Sequence, residues 1–286
     1  MPITTMSESD LQVDIERAVR QAIAEDVGSG DATAALVPER VLARARILAR
    51  EECVLCGSAW LESVFRQLDP AIDIQWHVSD GDKVPAQTVL CDLHGPARPL
   101  LTGERTALNF LQTLSAVATK TRSYVEAVSG THAAILDTRK TIPGLRLALK
   151  YAVKTGGGLN HRIGLYDGIL IKENHISAAG GVPQVLAQAA DANPNIPIQI
   201  EVETIEQLTQ AIASGAKLIL LDNFTTDQLA SAVKHTAGRA KLEASGGIRL
   251  DTVREIAETG VDRISIGTLT KDIRATDLSM RFVSME

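Results

Sequence analysis

Ile196-Pro-Ile-Gln-Ile-Glu201, Leu218-Ile-Leu-Leu221 and Lys241-Leu-Glu-Ala244 are apolar runs of strand length, each followed by a stretch long enough for a helix. The same rhythm continues outward. Ala133-Ala-Ile-Leu136 and Gly168-Ile-Leu-Ile171 precede these runs, and Arg263-Ile-Ser-Ile266 follows them. Six such strands separated by helices predict βα units with a parallel sheet, arranged as an open doubly wound sheet or as a barrel. No Gly-x-Gly-x-x-Gly follows the first run, which weakens the dinucleotide-binding version and favours the barrel.

Upstream of residue 130 the pattern is different. Ile15, Val19, Ala22 and Ile23 have helical spacing within Asp14 to Ala24, and Gly28-Ser-Gly30-Asp31 ends that helix with a turn. From Ala43 to Pro99 the signals are strand-rich. Ala45, Ile47 and Ala49 alternate with Arg44, Arg46 and Arg50, while Val78 to Lys83 and Val89 to Leu93 bracket turn residues. Gly57 to Leu68 is expected to be an interposed helix, and Glu104 to Thr119 a longer one, with Leu108, Leu111 and Val117 on one face.

Composition narrows the function classes. With 286 residues, 45% hydrophobic and 22% charged, the chain has the make-up of a folded globular enzyme rather than of a disordered or fibrous protein. A net charge of −6 without runs of like charge argues against nucleic acid as a partner. The apolar runs are far shorter than the roughly 20 residues that span a bilayer, and acidic Met1 to Gln12 has no apolar signal core, so the expectation is a cytoplasmic protein without membrane contact. Cys53 and Cys56 form a C-x-x-C with no second pair at zinc-finger spacing, and Cys53-Val-Leu-Cys56 reads as a buried strand.

Ligands of parallel βα folds bind at the carboxyl ends of the strands, so the residues after each run matter most. These are Asp137-Thr138-Arg139-Lys140, Lys172-Glu173-Asn174, Glu201-Val-Glu203, Asp222-Asn223, Ser245-Gly246-Gly247 and Gly267-Thr268. Between the first two runs lies Thr155-Gly-Gly-Gly-Leu-Asn-His-Arg162. Arginine forks match carboxylate or phosphate oxygens, lysine supplies a point charge, and glycine turns expose backbone N–H groups to phosphate. Glu201 and Asp222 could share Mg²⁺ or accept hydrogen bonds from ribose hydroxyls. Each feature alone has a plainer explanation: a solvated loop charge, a helix-capping Ser245, a structural His161, an ordinary glycine turn. Polar or glycine signals at all six strand ends together point to a polyanion held over a carboxylate pair.

Asp137-Thr-Arg-Lys-Thr141, Gly156-Gly-Gly-Leu-Asn-His-Arg162, Leu170-Ile-Lys-Glu-Asn-His175, Glu201-Val-Glu203, Leu221-Asp-Asn223, Glu243-Ala-Ser-Gly-Gly247 and Gly260-Val-Asp-Arg-Ile-Ser-Ile-Gly267 resemble the quinolinate phosphoribosyltransferases. So does Gly103-Glu-Arg-Thr-Ala-Leu-Asn-Phe-Leu111, and the likeness runs in order from about residue 25 to 280. It implies an N-terminal α/β sandwich over 1–115, an incomplete parallel α/β barrel over 116–275, and a segment 276–286 returning to the N-terminal domain. It also implies transfer of phosphoribosyl from phosphoribosyl pyrophosphate to quinolinate with decarboxylation, in a Mg²⁺-dependent homodimer with shared sites, with assembly into a trimer of dimers left open.

Carried over by motif, Arg139, Arg162 and Lys172, with His161 nearby, would hold the pyridine dicarboxylate, and Arg105 would reach it from the partner subunit. Thr138 and Lys140 match substrate-contacting positions. Glu201 and Asp222 would bind ribose hydroxyls and Mg²⁺. Ser245, Gly246, Gly247, Ile266, Gly267 and Thr268 would surround the 5′-phosphate. Arg105, Lys140, Lys172, Glu201 and Asp222 would form the catalytic set. The sequence departs from the family pattern at Cys53 and Cys56, where small residues are usual, at Ser115-Ala116 in place of Ser-Gly, and at Thr270-Lys271 in place of Thr-His. Three rivals stand beside this reading: a related phosphoribosyltransferase with another acceptor, a Schiff-base aldolase-like barrel using Lys140 or Lys172, and a non-catalytic phosphate-binding barrel.

Overall fold

A computed structural model of the chain describes residues 7–192 and 195–286. In chain order the elements are α1 (Glu8–Val27), β1 (Leu42–Ala49), β2 (Cys53–Val54), α2 (Ser58–Leu68), β3 (Asp73–Trp76), β4 (Lys83–Val84), β5 (Val89–Pro96) and α3 (Ala97–Ala127). There follow β6 (Ala134–Leu136), α4 (Arg146–Thr155), β7 (Ile169–Ile171), α5 (Glu173–Ala179), α6 (Val182–Ala192), β8 (Ile198–Val202), α7 (Ile205–Ala213) and β9 (Leu218–Asp222). The last are α8 (Thr226–Thr236), β10 (Lys241–Ser245), α9 (Val253–Glu258), β11 (Arg263–Ser265), α10 (Thr268–Lys271) and β12 (Leu278–Met285). They fall into two compact units, one of 7–120, 141–157 and 270–286, the other of 121–140 and 158–269.

The first unit is built on an antiparallel sheet of order β12-β1-β5-β3. The alternation in β1 sets its faces: Ala43, Ala45, Ile47 and Ala49 are buried, whereas Leu42, Arg44 and Arg46 are exposed. Trp60, Leu61, Val64 and Phe65 of α2 and Leu100, Leu108, Leu111 and Leu114 of α3 are almost fully buried. Each such side chain stabilises the fold by roughly 1.5–3 kcal/mol, as an upper bound. Ser115, fully buried on α3, exchanges hydrogen bonds with the Cys56 backbone, accepting at 3.0 Å and donating at 3.2 Å, and Thr119 Oγ1 accepts from Val54 N–H at 2.8 Å. These contacts fasten the Cys53–Cys56 segment to α3. Cys53, Cys56 and Cys91 are buried free thiols, and burial pushes the Cys53 thiol up to about 11, out of the reactive range.

Residues 141–157 pack in this first unit, although they precede β7 in sequence and 116–275 was expected to form one barrel domain. The physical reason is a pair of long-range contacts. Tyr151 on α4 stacks against Trp60 with ring centroids 5.2 Å apart, and its hydroxyl donates to Asp80 Oδ2 at 2.9 Å. The same carboxylate caps α2, accepting from Gly57 N–H at 2.9 Å and Ser58 N–H at 3.2 Å.

The second unit contains six parallel strands in the order β6-β11-β10-β9-β8-β7. Strand gives way to helix at threonine caps: Thr204 accepts from Gln207 N–H, and Thr225 forms a capping box with Gln228. Among the described residues the edge strands β6 and β7 are not paired with each other, so the barrel is open there. Leu159 makes an isolated parallel bridge to Leu136 on the free edge of β6. The glycine-rich segment thus acts as a one-residue strand in the gap.

Gly103 tests the packing of the first unit. A Cβ there would lie 2.8 Å from both Phe65 Cε1 and Leu68 Cδ1, so α2 and α3 touch where α3 has no side chain. Gly103→Val should therefore cost about 2 kcal/mol by overpacking, read as a fall in Tm of about 5 °C in thermal denaturation. An unchanged Tm would show that α2 moves aside freely.

Candidate active site

Asp137, just past the end of β6, is fully buried and organises the segment opposite it. Its Oδ1 accepts from His161 N–H at 2.8 Å and its Oδ2 from the Asn160 amide at 2.6 Å. Backbone bonds complete the join: Leu159 N–H donates to Ile135 at 2.8 Å and Asp137 N–H to Leu159 at 3.2 Å. His161 and Arg162 are thereby held at the carboxyl ends of the strands with little exposure, 5% and 9%.

Arg162 donates from Nη1 to the Gly168 carbonyl at 2.8 Å, and Asp167 accepts from Ile163 and Gly164 N–H at 2.8 and 2.7 Å. Burial, then the nearby Arg139 charge, pull the Arg162 guanidinium below its ordinary pKa, and Asp167 only partly opposes them. Arg139 Nε is buried without a hydrogen-bond acceptor. Two neighbouring guanidiniums with an unmet donor make a cationic pair suited to an anion.

Lys172, at the end of β7, donates from Nζ to both oxygens of Glu201 at 3.1 and 2.9 Å. The pair is half open, Lys172 being 46% exposed and Glu201 11%, so water screens it and it is readily exchanged. Asp222 stands in register with Ser245, and its Oδ2 accepts from the Asn223 amide at 2.8 Å. Asn223 adopts φ 56° and donates its N–H to the Ser245 carbonyl at 2.9 Å. Gly246 must be glycine: φ is 108°, and a Cβ would meet Asn223 Cγ at 2.8 Å and its backbone N at 3.0 Å.

Ile266 is buried and donates its N–H to the Leu136 carbonyl at 2.9 Å, which brings Gly267 beside the end of β6. A Cβ on Gly267 would lie 3.1 Å from Lys140 Cδ and 3.6 Å from Thr138 Oγ1, and Thr138 Oγ1 accepts from Lys140 N–H at 3.0 Å. Gly247, with φ 59°, follows Gly246, and Thr268 opens α10. Thr138, Arg139, Lys140, His161, Arg162, Lys172, Glu201, Asp222, Ser245 to Gly247 and Ile266 to Thr268 all belong to the second unit. Arg105 belongs to the first, exposed on α3. The strand-end census did not single out the supporting roles of Asp137, Asn160 and Asn223. The signal was present in their places within the D-T-R-K, L-N-H-R and L-D-N motifs.

Removing the Asp137 carboxylate takes away the acceptor of the buried His161 N–H and Asn160 amide. Asp137→Ala should cost about 3 kcal/mol in denaturant unfolding. Asp137→Asn, which can keep one acceptor, should cost less, and equal losses would remove the two-bond account.

The whole chain also finds its likeness elsewhere. Residues 31–115 match the family model of the quinolinate phosphoribosyl transferase N-terminal domain, and residues 117–281 that of the C-terminal domain. A probable nicotinate-nucleotide pyrophosphorylase (carboxylating) of Bacillus subtilis is 42% identical over 93% of this chain and 92% of its own length. A Synechocystis protein of the same description is 40% identical over 94% and 92%. The solved structure of the nicotinate-nucleotide pyrophosphorylase from Francisella tularensis superposes with a TM-score of 0.94 at 44% identity, covering 99% of both chains. With both domain models matched in order and the motif residues gathered at one set of strand ends, the chain belongs to the quinolinate phosphoribosyltransferase family.

Proposed function

We propose that the strand-end pocket of the second unit is where quinolinate meets phosphoribosyl pyrophosphate. The protein is a carboxylating nicotinate-nucleotide pyrophosphorylase, forming nicotinate mononucleotide, pyrophosphate and CO₂ in NAD biosynthesis. The observation that carries the pocket assignment is the Arg139–Arg162 pair with its unmet Nε donor. A pyridine dicarboxylate supplies the missing acceptors: Arg139 and Arg162 fork its carboxylates, Lys172 adds charge, and His161 lies nearby. Holding the ring fixes its nitrogen against C1 of the ribose. Once that nitrogen is quaternised, the carbanion left by loss of the adjacent carboxylate lies next to a positive charge.

Glu201 and Asp222 accept the ribose hydroxyls, Lys140 faces the pyrophosphate side, and the glycine turns at 245–247 and 266–268 cradle the 5′-phosphate. Two acids fit Mg²⁺, which takes one or two carboxylates and fills its remaining positions with water and phosphate oxygens. When bound, the cation would supply charge to offset the departing pyrophosphate. No helix among the described residues is long and apolar enough to cross a membrane. Three buried free thiols suit a reducing, cytoplasmic compartment.

Purified protein given quinolinate, phosphoribosyl pyrophosphate and Mg²⁺ should release nicotinate mononucleotide and CO₂ together. Nicotinate in place of quinolinate should be turned over at least about a hundredfold less efficiently, because a buried cation loses its carboxylate. Comparable turnover of nicotinate would overturn the pocket assignment.

A homodimer accounts for Arg105, which the resemblance places in the neighbouring subunit's pocket. Arg105→Ala and Lys172→Ala should each be nearly inactive. A mixed dimer, however, contains one pocket with both groups and one with neither. Random exchange of equal amounts should therefore restore about a quarter of the parent activity. Exchange shown by mass labelling without recovery would place Arg105 in its own subunit's pocket or outside any.

A further inference from the structure

Beneath His161 lies a second carboxylate that the reaction scheme does not use. Glu243, in the middle of β10, is 1% exposed. Its Oε2 accepts from the Gln199 amide on β8 at 3.0 Å, while its Oε1 accepts no well-formed hydrogen bond and lies 3.5 Å from His161 Nε2. An ionised carboxylate in the core is costly unless a charge answers it. Burial alone would push the Glu243 carboxyl up, but the contacts of His161, Gln199 and Ser265 outweigh it and hold the group below the usual glutamate range. Other charged groups border the pair. Asp137 faces the His161 backbone from the end of β6, and buried Arg263 on β11 stands in register with Glu243. Arg162 adjoins His161 in the chain. Asp137 is engaged by the His161 N–H and the Asn160 amide, and Glu243 lies at ion-pair distance from the imidazole ring.

We propose that Glu243 is a positioning residue for quinolinate, its buried carboxylate, anchored by Gln199, holding the His161 imidazole in place. This rests on the reading that His161 lines the dicarboxylate pocket. Glu243 itself touches no substrate and acts only through His161. The imidazole meets the buried acid on one side and faces the substrate on the other.

The test is a double-mutant cycle read by quinolinate binding in calorimetry, with Glu243→Gln, His161→Gln and the double variant. His161→Gln should weaken binding about tenfold, the size of one lost charge-assisted contact. Glu243→Gln should weaken it by a similar factor. In the His161→Gln background the Glu243 change should shift affinity less than about twofold, because its route to the substrate is gone. Parent-like binding by Glu243→Gln, or undiminished loss in the double variant, would reduce Glu243 to core packing and overturn the proposal. Unaltered quinolinate binding by His161→Gln would instead remove His161 from the pocket and with it the premise. Should Glu243→Gln fail to fold, Gln199→Leu, which removes the anchor of the carboxylate, takes its place in the same cycle with the same outcomes.

Discussion

The constraint on which the pocket depends is the open edge of the barrel between β6 and β7. An edge strand leaves backbone donors and acceptors unpaired, and six strands of this length do not close on themselves. Here the edge of β6 is met by a single residue, Leu159, and the junction is completed by one buried carboxylate. Because Asp137 takes both the His161 N–H and the Asn160 amide, closing the edge and placing His161 and Arg162 are the same event. The fold of the edge and the placement of these two side chains thus share a joint.

Charge balance is arranged differently at the two sides of the pocket. On the Lys172–Glu201 side, opposite charges already satisfy one another in a partly solvated pair. On the Arg139–Arg162 side like charges are held together, opposed by the Gly168 carbonyl and the Asp167 carboxylate. The first arrangement costs little to form and little to open. The second stores unfavourable energy that a bound anion would relieve.

Much of this was legible beforehand because strand periodicity and strand-end chemistry are local. All six parallel strands lie within a residue or two of the apolar runs, since short β-rich runs between helices leave few alternatives. The helix expected over Glu104 to Thr119 extends instead from Ala97 to Ala127, with Ala97, Leu100 and Tyr124 continuing its buried face. The placement of 141–157 was not legible, because it depends on Tyr151 meeting Trp60 and Asp80, contacts separated by some seventy to ninety residues that no local pattern encodes. Glu243 escaped notice for a related reason. It sits in mid-strand rather than at a strand end, where an apolar residue is the ordinary occupant and a carboxylate draws attention only once its burial is known.

Glycine requirements divide along the same line. Gly103 and Gly246 both belong to recognisable motifs, yet they are glycine for unrelated reasons. At Gly103 the backbone is ordinary helix and the space is taken by Phe65 and Leu68, so the constraint is close packing of α3 on α2. At Gly246 the backbone itself has left the region open to other residues, and Asn223 fills the place of a side chain. Asn223 can do so because its own left-handed conformation, tolerable for asparagine, turns its amide toward Asp222 and its N–H toward Ser245. The two strand ends are therefore locked to each other before any phosphate arrives. The acid on β9 and the glycine turn after β10 keep a fixed separation, as a site that grips ribose hydroxyls and a 5′-phosphate at once requires.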